Sequence, residues 1–152
     1  MKLAEALVLR ADHQKRLEQL KARLLRNAKV QEGERPAEEP SGLVSEVEEV
    51  AAALEQLIRR INRTNTDTAI DGDATIADFL ARRDVLALRR AIYAELAQAA
   101  TVTQDRYSKS EVKFKSTINV SDMQKQADRL SKEYRELDTR LQAANWATEL
   151  SD

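Results

Sequence analysis

The residues best suited by type and spacing to chemistry lie together in the second half of the chain. Four arginines and an aspartate form an arginine seam in a predicted helix, at positions Arg82, Arg83, Asp84, Arg89 and Arg90. A guanidinium group binds carboxylate or phosphate through paired hydrogen bonds, so this seam is a candidate site for a small anion. Ion pairs that fix the register of packed helices give the same pattern. We interpret the seam first as structural and second as an anion site. Polar residues in other predicted helices that could face it are Arg10, Asn62 and Asp138.

Other chemistry is limited by residues that the sequence lacks. It has no cysteine and one histidine, His13, which excludes disulfides, zinc–thiolate sites and di-metal centres built from Glu-x-x-His pairs. The acidic stretch around Asp71 and Gly72 does not have the spacing of a calcium-binding loop. The three glycines are isolated, so there is no phosphate-binding loop. We therefore predict no catalytic residues, no metal and no cofactor, and the sequence favours a non-enzymatic protein.

The composition is typical of long helices. Ala, Glu, Lys, Leu and Arg make up just over half of the 152 residues, against 3 glycines and 2 prolines. Apolar residues at alternating spacings of three and four predict coiled-coil-like helices over residues 2–29, 41–64, 75–100 and 121–146. Ser41 or Ser45 is predicted to cap the second helix, Thr75 the third and Ser121 the fourth.

The third predicted helix carries two apolar rows, which indicates that it is central or shared between subunits. The whole pattern predicts a mainly all-α fold with four long helices in an antiparallel bundle. One extended β segment is predicted before the last helix, as an insertion over residues 101–120. We predict a single domain over residues 1–152.

Opposed charges predict that the first two helices form an antiparallel hairpin. Residues 2–29 carry 8 basic and 3 acidic side chains, whereas residues 31–56 carry 8 acidic and 1 basic side chain. We expect Lys21 or Lys29 to lie near Glu46 or Glu49. The formal net charge of the chain is only −1, so no overall field attracts nucleic acid, and the sequence carries no strong signal for a nucleic-acid partner.

Residues 111–118 follow a different pattern, with apolar and polar side chains alternating every second residue, as in a strand. A single strand leaves its backbone donors and acceptors unpaired, and the chain offers no second convincing strand. We therefore predict a homo-oligomer in which this strand pairs with another copy. Its predicted contacts are Val112, Phe114 and Ile118.

Four segments carry a resemblance that extends over essentially the whole chain. They are INRTN at residues 61–65, ARRDVL at 81–86, RYSKSEVKF at 106–114 and YRELDTRLQAANW at 134–146. Together they resemble an uncharacterised bacterial family, some members of which are called septicolysin. That name implies a pore-forming toxin, in which residues 101–120 would refold into a hairpin. The resemblance implies no catalytic residues.

The apolar runs at residues 6–9 and 50–54 are too short for a transmembrane helix. Glu5 interrupts the stretch that could have been a signal-peptide core, which predicts a cytoplasmic protein. We predict a non-enzymatic helical protein that acts through self-association or a protein partner. The alternatives are a pore-forming or membrane-active protein and a small-anion-binding protein that uses the arginine seam.

Overall fold

The structure is a computed structural model that describes residues 1–102 and 112–152. Its described part contains four helices: α1 (Leu3–Arg26), α2 (Pro40–Asp67), α3 (Ile76–Ala99) and α4 (Val120–Ala147). A two-stranded antiparallel hairpin, β1 (Ala69–Asp71) and β2 (Ala74–Thr75), connects α2 to α3. The predicted mainly all-α fold with four long helices is confirmed.

The chain divides into two compact units. The first consists of residues 1–76 and 142–152, and the second of residues 77–141. Helix α4 contributes residues 120–141 to the second unit and its last six residues to the first. The single domain over residues 1–152 stays a prediction.

Helices α1 and α2 pack as an antiparallel hairpin in the first unit, as their charges predict. The Arg16 guanidinium donates to the Glu46 carboxylate, and Arg23 donates to Glu38. The ion-pair partner of Glu46 is thus Arg16, and the proximity of Lys21 or Lys29 to Glu46 or Glu49 stays a prediction. The buried apolar side chains of the two helices are Leu3, Ala4, Ala6, Leu20, Leu43, Leu57 and Ile61.

The polar connection between α1 and α2 is fixed by Asn27. Its side-chain Nδ2 donates to the Arg23 carbonyl at 2.9 Å, and its Oδ1 accepts from the Glu38 backbone N–H at 3.1 Å. Helix α2 begins with Pro40, so Glu39 takes the N-cap position in place of Ser41 or Ser45. Proline suits the first helical position because its fixed φ is helical and no N–H is needed there.

The acidic stretch after α2 forms the short hairpin, which was expected only as a polar turn. Gly72 has a φ of +56°, in the left-handed region that other residues rarely adopt. Helix α3 begins at Ile76, directly after the predicted cap Thr75.

The first and last residues of the chain pair with each other in the first unit. The Leu3 N–H donates to the Thr148 carbonyl at 2.9 Å, and the Leu150 N–H donates to the Met1 carbonyl at 2.9 Å. The Glu149 carboxylate forms ion pairs with the Lys2 ammonium at 2.6 Å and with the terminal amine at 3.2 Å. These contacts hold Leu150 in a buried position.

In the second unit, α3 and α4 run antiparallel. Arg83 lies against Asp138, Arg90 against the Tyr134 ring, and Arg140 over the Phe79 ring. The buried apolar side chains of this unit are Phe79, Leu86, Ala97, Ala127, Leu130, Leu137 and Leu141.

The strand predicted over residues 111–118 is not formed in its described part. Residues 112–116 have no regular structure and residues 117–118 form a bend, while residues 103–111 of the predicted insertion lie outside the described residues. A strand requires a paired ladder, and among residues 1–102 and 112–152 no other strand lies beside this segment. Helix α4 is capped by Asn119, whose Oδ1 accepts from the Asp122 N–H at 3.1 Å, and not by Ser121.

The ion pair between Arg23 and Glu38 predicts a pH dependence of stability. The hydrogen bond from Arg23 lowers the pKa of Glu38 below its ordinary value of 4.5, against the effect of desolvation. A lowered folded-state pKa gives stability that is present above the ordinary value and lost as the pH falls through the folded value. We expect the urea midpoint of the wild type to fall more steeply than that of Glu38→Gln between about pH 5 and about pH 3.

Glu39→Gln is the control for this pH series, because Glu39 is exposed and forms no ion pair with the described residues. Its midpoint should follow the wild-type pH profile. Equal slopes for the wild type and Glu38→Gln would contradict the prediction.

Candidate functional site

The two apolar rows of α3 have different environments. One row, with Phe79 and Leu86, is buried, and the Arg140 guanidinium of α4 lies over the Phe79 ring. The other row is open: Val85 is 52%, Leu88 65% and Ile92 61% exposed, and Leu96 continues it by one turn. Single exposed apolar residues are common on protein surfaces, but a continuous exposed stripe is unusual. We call Val85, Leu88, Ile92 and Leu96 the α3 face.

The arginine seam lies around this helix in two different settings. Arg83 donates from Nη1 to Asp138 Oδ1 at 2.7 Å, and the Arg90 guanidinium lies 5.4 Å from the centre of the Tyr134 ring. Both side chains are half-buried against α4. Arg82 and Arg89 are exposed and form no ion pair with any described residue. Asp138 is therefore a seam partner, as expected, whereas Arg10 and Asn62 belong to the first unit.

Charged side chains border the α3 face on both sides. At 100° per residue, Arg82 and Arg89 follow one edge of the face, and Asp84 and Glu95 follow the other. All four are exposed. The structure thus separates the seam into a half-buried pair that contacts α4 and an exposed set that borders an apolar stripe.

The predicted oligomer contacts lie just before α4. Val112 is 69% and Phe114 80% exposed, and Ile118 is half-buried. An aromatic ring with four-fifths of its surface open buries little of its apolar area within the chain. These residues are brought into the same unit as the α3 face.

A second group of arginines, on α2, was not recognised in the sequence. Gln56, Arg59, Arg60 and Arg63 line a cleft of about 410 Å³ together with Asp152. The available signal was the cluster of three arginines within five residues, RRINR at 59–63. Only Arg63 lies in a segment singled out above, INRTN at 61–65. Nothing in the sequence shows that residues 151–152 return to α2, so the cluster alone does not predict a cleft.

A model of a family of unknown function, DUF6847, matches residues 10–150. The chain belongs to this family. A crystal structure of a functionally unknown conserved protein from Corynebacterium diphtheriae has 46% sequence identity to it and a TM-score of 0.94, over 99% of each chain. None of the curated proteins gives a significant match. The predicted resemblance to an uncharacterised bacterial family is therefore confirmed.

The described residues of this DUF6847 protein contain neither a group of metal ligands nor a membrane-spanning helix. Within residues 1–102 and 112–152, no three His, Cys, Asp or Glu side chains are grouped so that they could hold a metal ion. His13 is half-buried in α1. In the same described ranges, no helix combines the length and apolar character needed to cross a bilayer.

Proposed function

We propose that this family member is a non-enzymatic cytoplasmic protein that acts through self-association, with a second copy of the chain seated on the α3 face. The observation that carries the proposal is the exposed row of apolar side chains from Val85 to Leu96. At about 1.5 Å per residue the row is about 16 Å long, which is enough for three successive layers of side chains packed between two helices. Covering it removes apolar surface from water, which favours association.

The charges beside the α3 face favour a parallel, in-register pair of α3 helices. In heptad terms Val85 and Ile92 take position a and Leu88 takes position d, so that Asp84 is at g and Arg89 at e. A parallel pair brings each g residue beside the e residue five positions further along the other helix. Asp84 would then meet the partner's Arg89, twice in a two-fold dimer. In an antiparallel pair like edges meet, and the arginines of one copy would face the arginines of the other.

One residue opposes this association. Glu95 takes the next d position, so a parallel pair brings two Glu95 carboxylates together, and like charges repel. A polar residue at a core position of a coiled coil fixes the register of the two helices but lowers the stability of the pair. We expect Glu95→Gln to tighten the dimer for this reason.

Sedimentation of Leu88→Glu tests the proposal. The wild type is expected to sediment as a dimer or larger at micromolar concentration, and Leu88→Glu as a monomer, because a charge would be buried in the interface. The matched control is Leu25→Glu, since Leu25 is 68% exposed on α1, and it should sediment like the wild type. A wild type that runs as a monomer under these conditions contradicts the proposal.

Disulfide formation tests the orientation of the helices, because the chain has no cysteine of its own. We expect Val85→Cys and Ile92→Cys each to form a covalent dimer on mild oxidation. Both positions can meet their own copies only in a parallel, in-register pair. In an antiparallel pair a residue meets its copy only near the two-fold axis, so at most one of these variants would cross-link.

The segment before α4 provides a second arm of the experiment. We infer that Val112, Phe114 and Ile118 add to the contact between copies, so Phe114→Asp should weaken the assembly without changing the helical content.

The name septicolysin implies membrane activity, and the exposed Phe114 between two lysines is the observation that favours this second function. Release of dye from anionic vesicles by the wild type, lost in Phe114→Asp, would favour that function over self-association.

A further inference from the structure

We propose that the cleft on α2 binds a small phosphate-bearing anion, and that residues 151–152 compete for the same arginines. Four side chains of α2 form the cleft: Gln56, Arg59, Arg60 and Arg63. Gln56, Arg60 and Arg63 lie on one side of the helix over successive turns, and Arg59 lies at the edge of this row. The proposal does not depend on the association of copies through the α3 face.

Oxygen atoms of the chain already occupy part of the cleft. The Arg60 Nε donates to the Ser151 carbonyl at 2.8 Å, and its Nη2 lies 3.7 Å from Asp152 Oδ1. Arg63 donates from Nη1 to the backbone oxygen of Asp152. Two neighbouring guanidinium groups thus converge on carbonyl and carboxylate oxygens, which are the same kind of acceptor that a phosphate presents.

The third guanidinium group is free to contribute further donors. Arg59 is exposed and forms no ion pair or hydrogen bond through its side chain with the described residues. Three guanidinium groups therefore face one side-chain carboxylate, that of Asp152. This imbalance favours an additional anion over a further cation.

Ser151 and Asp152 are attached to α2 by contacts of different strength, so a ligand can displace Asp152 alone. The Ser151 N–H donates to Thr64 Oγ1 at 3.0 Å, and Thr64 is buried. The Asp152 side chain is fully exposed, and its ion pair with Arg60 is long. Exposed ion pairs of this kind are weak because water solvates both charges. A ligand can therefore displace Asp152 while Ser151 remains attached to α2.

Phosphate suits the cleft better than a single carboxylate. A guanidinium group presents its N–H donors in a planar fork that binds two oxygens of one phosphate at once. The cleft, at about 410 Å³, is much larger than one carboxylate group. Three forks on one helix can contact two linked phosphates, so we infer a diphosphate or a phosphate ester as the class of ligand.

Calorimetric titration with pyrophosphate tests the site, at one pH and with the ionic strength held constant by chloride. We expect Arg59→Gln to weaken binding about tenfold or more, since hydrogen bonds to charged groups are the strong ones. Arg60→Lys should also weaken binding, because lysine lacks the planar fork of N–H donors although it keeps the positive charge. Asp152→Asn should tighten it severalfold by removing the competing carboxylate.

Arg135→Gln is the matched control, because Arg135 is exposed on α4, outside the cleft, and forms no ion pair with the described residues. Its affinity for pyrophosphate should equal that of the wild type. An equal loss in Arg135→Gln and Arg59→Gln would show unspecific charge attraction and overturn the site. The absence of binding in both the wild type and Asp152→Asn would also overturn it. Citrate that binds as tightly as pyrophosphate would overturn the assignment to phosphate.

Discussion

Replacing Leu20 by alanine is expected to lower the free energy of unfolding by about 2–5 kcal/mol. The Leu20 side chain is fully buried between α1 and α2. Its removal loses the transfer free energy of the apolar atoms and leaves a cavity that packed helices close only in part. Unfolding in urea measures the change, followed by circular dichroism and by the fluorescence of the single tryptophan, Trp146.

Leu25→Ala is the control for Leu20→Ala, since Leu25 lies five residues later in the same helix and is exposed. The two substitutions make the same change in helix propensity and differ in the burial of the side chain. We expect Leu25→Ala to change the free energy of unfolding by less than about 0.5 kcal/mol. Equal losses in the two variants would contradict the packing of α1 against α2.

Replacing Thr64 by valine is expected to lower the free energy of unfolding by about 1–3 kcal/mol. Valine keeps the shape of the buried side chain but removes Oγ1, which donates to the Arg60 carbonyl at 2.8 Å and accepts from the Ser151 N–H at 3.0 Å. The backbone of Ser151 then lacks that acceptor inside the first unit. Faster amide exchange at Ser151 should accompany the loss.

Thr66→Val is the matched control on the same helix. Thr66 Oγ1 donates to the Asn62 carbonyl at 3.0 Å, which is the same bond to the residue four positions earlier, but Thr66 is exposed and accepts nothing from residues 148–152. We expect a change of less than about 0.5 kcal/mol. A loss in Thr66→Val as large as that in Thr64→Val would show that the back-bond, and not the contact with Ser151, is the stabilising interaction.

Helix positions could be read from the sequence because burial selects one face of each helix. The stripes through Leu20, Leu57 and Leu130 predict the buried sides of α1, α2 and α4, and all three residues are buried. Helix starts were less predictable. Serine, asparagine and proline near a helix start all satisfy the same unpaired N–H groups, so Asn119 could take the place expected for Ser121.

Contacts between residues far apart in the sequence were harder to predict. Charge opposition predicted the α1–α2 hairpin, but a charge count averages over several turns and does not fix that Glu46 meets Arg16. The cleft on α2 requires residues 151–152 to return beside Arg60, which periodicity does not encode. The alternation in residues 111–118 describes how a strand would present its side chains, whereas a strand forms only when a neighbour completes its ladder.

The pairing of residues 1–3 with residues 148–150 has a consequence for the order in which the protein is completed during synthesis. The hairpin of α1 and α2 can form as soon as residue 67 has left the ribosome, since its contacts are local. The start of α1 must wait for residue 150, which is made about 7–30 s after residue 3 at about 5–20 residues per second. During that time Leu3 lacks the Thr148 carbonyl that accepts its N–H in the finished chain. The start of α1 therefore stays open to chaperones and proteases until residues 148–150 have been made.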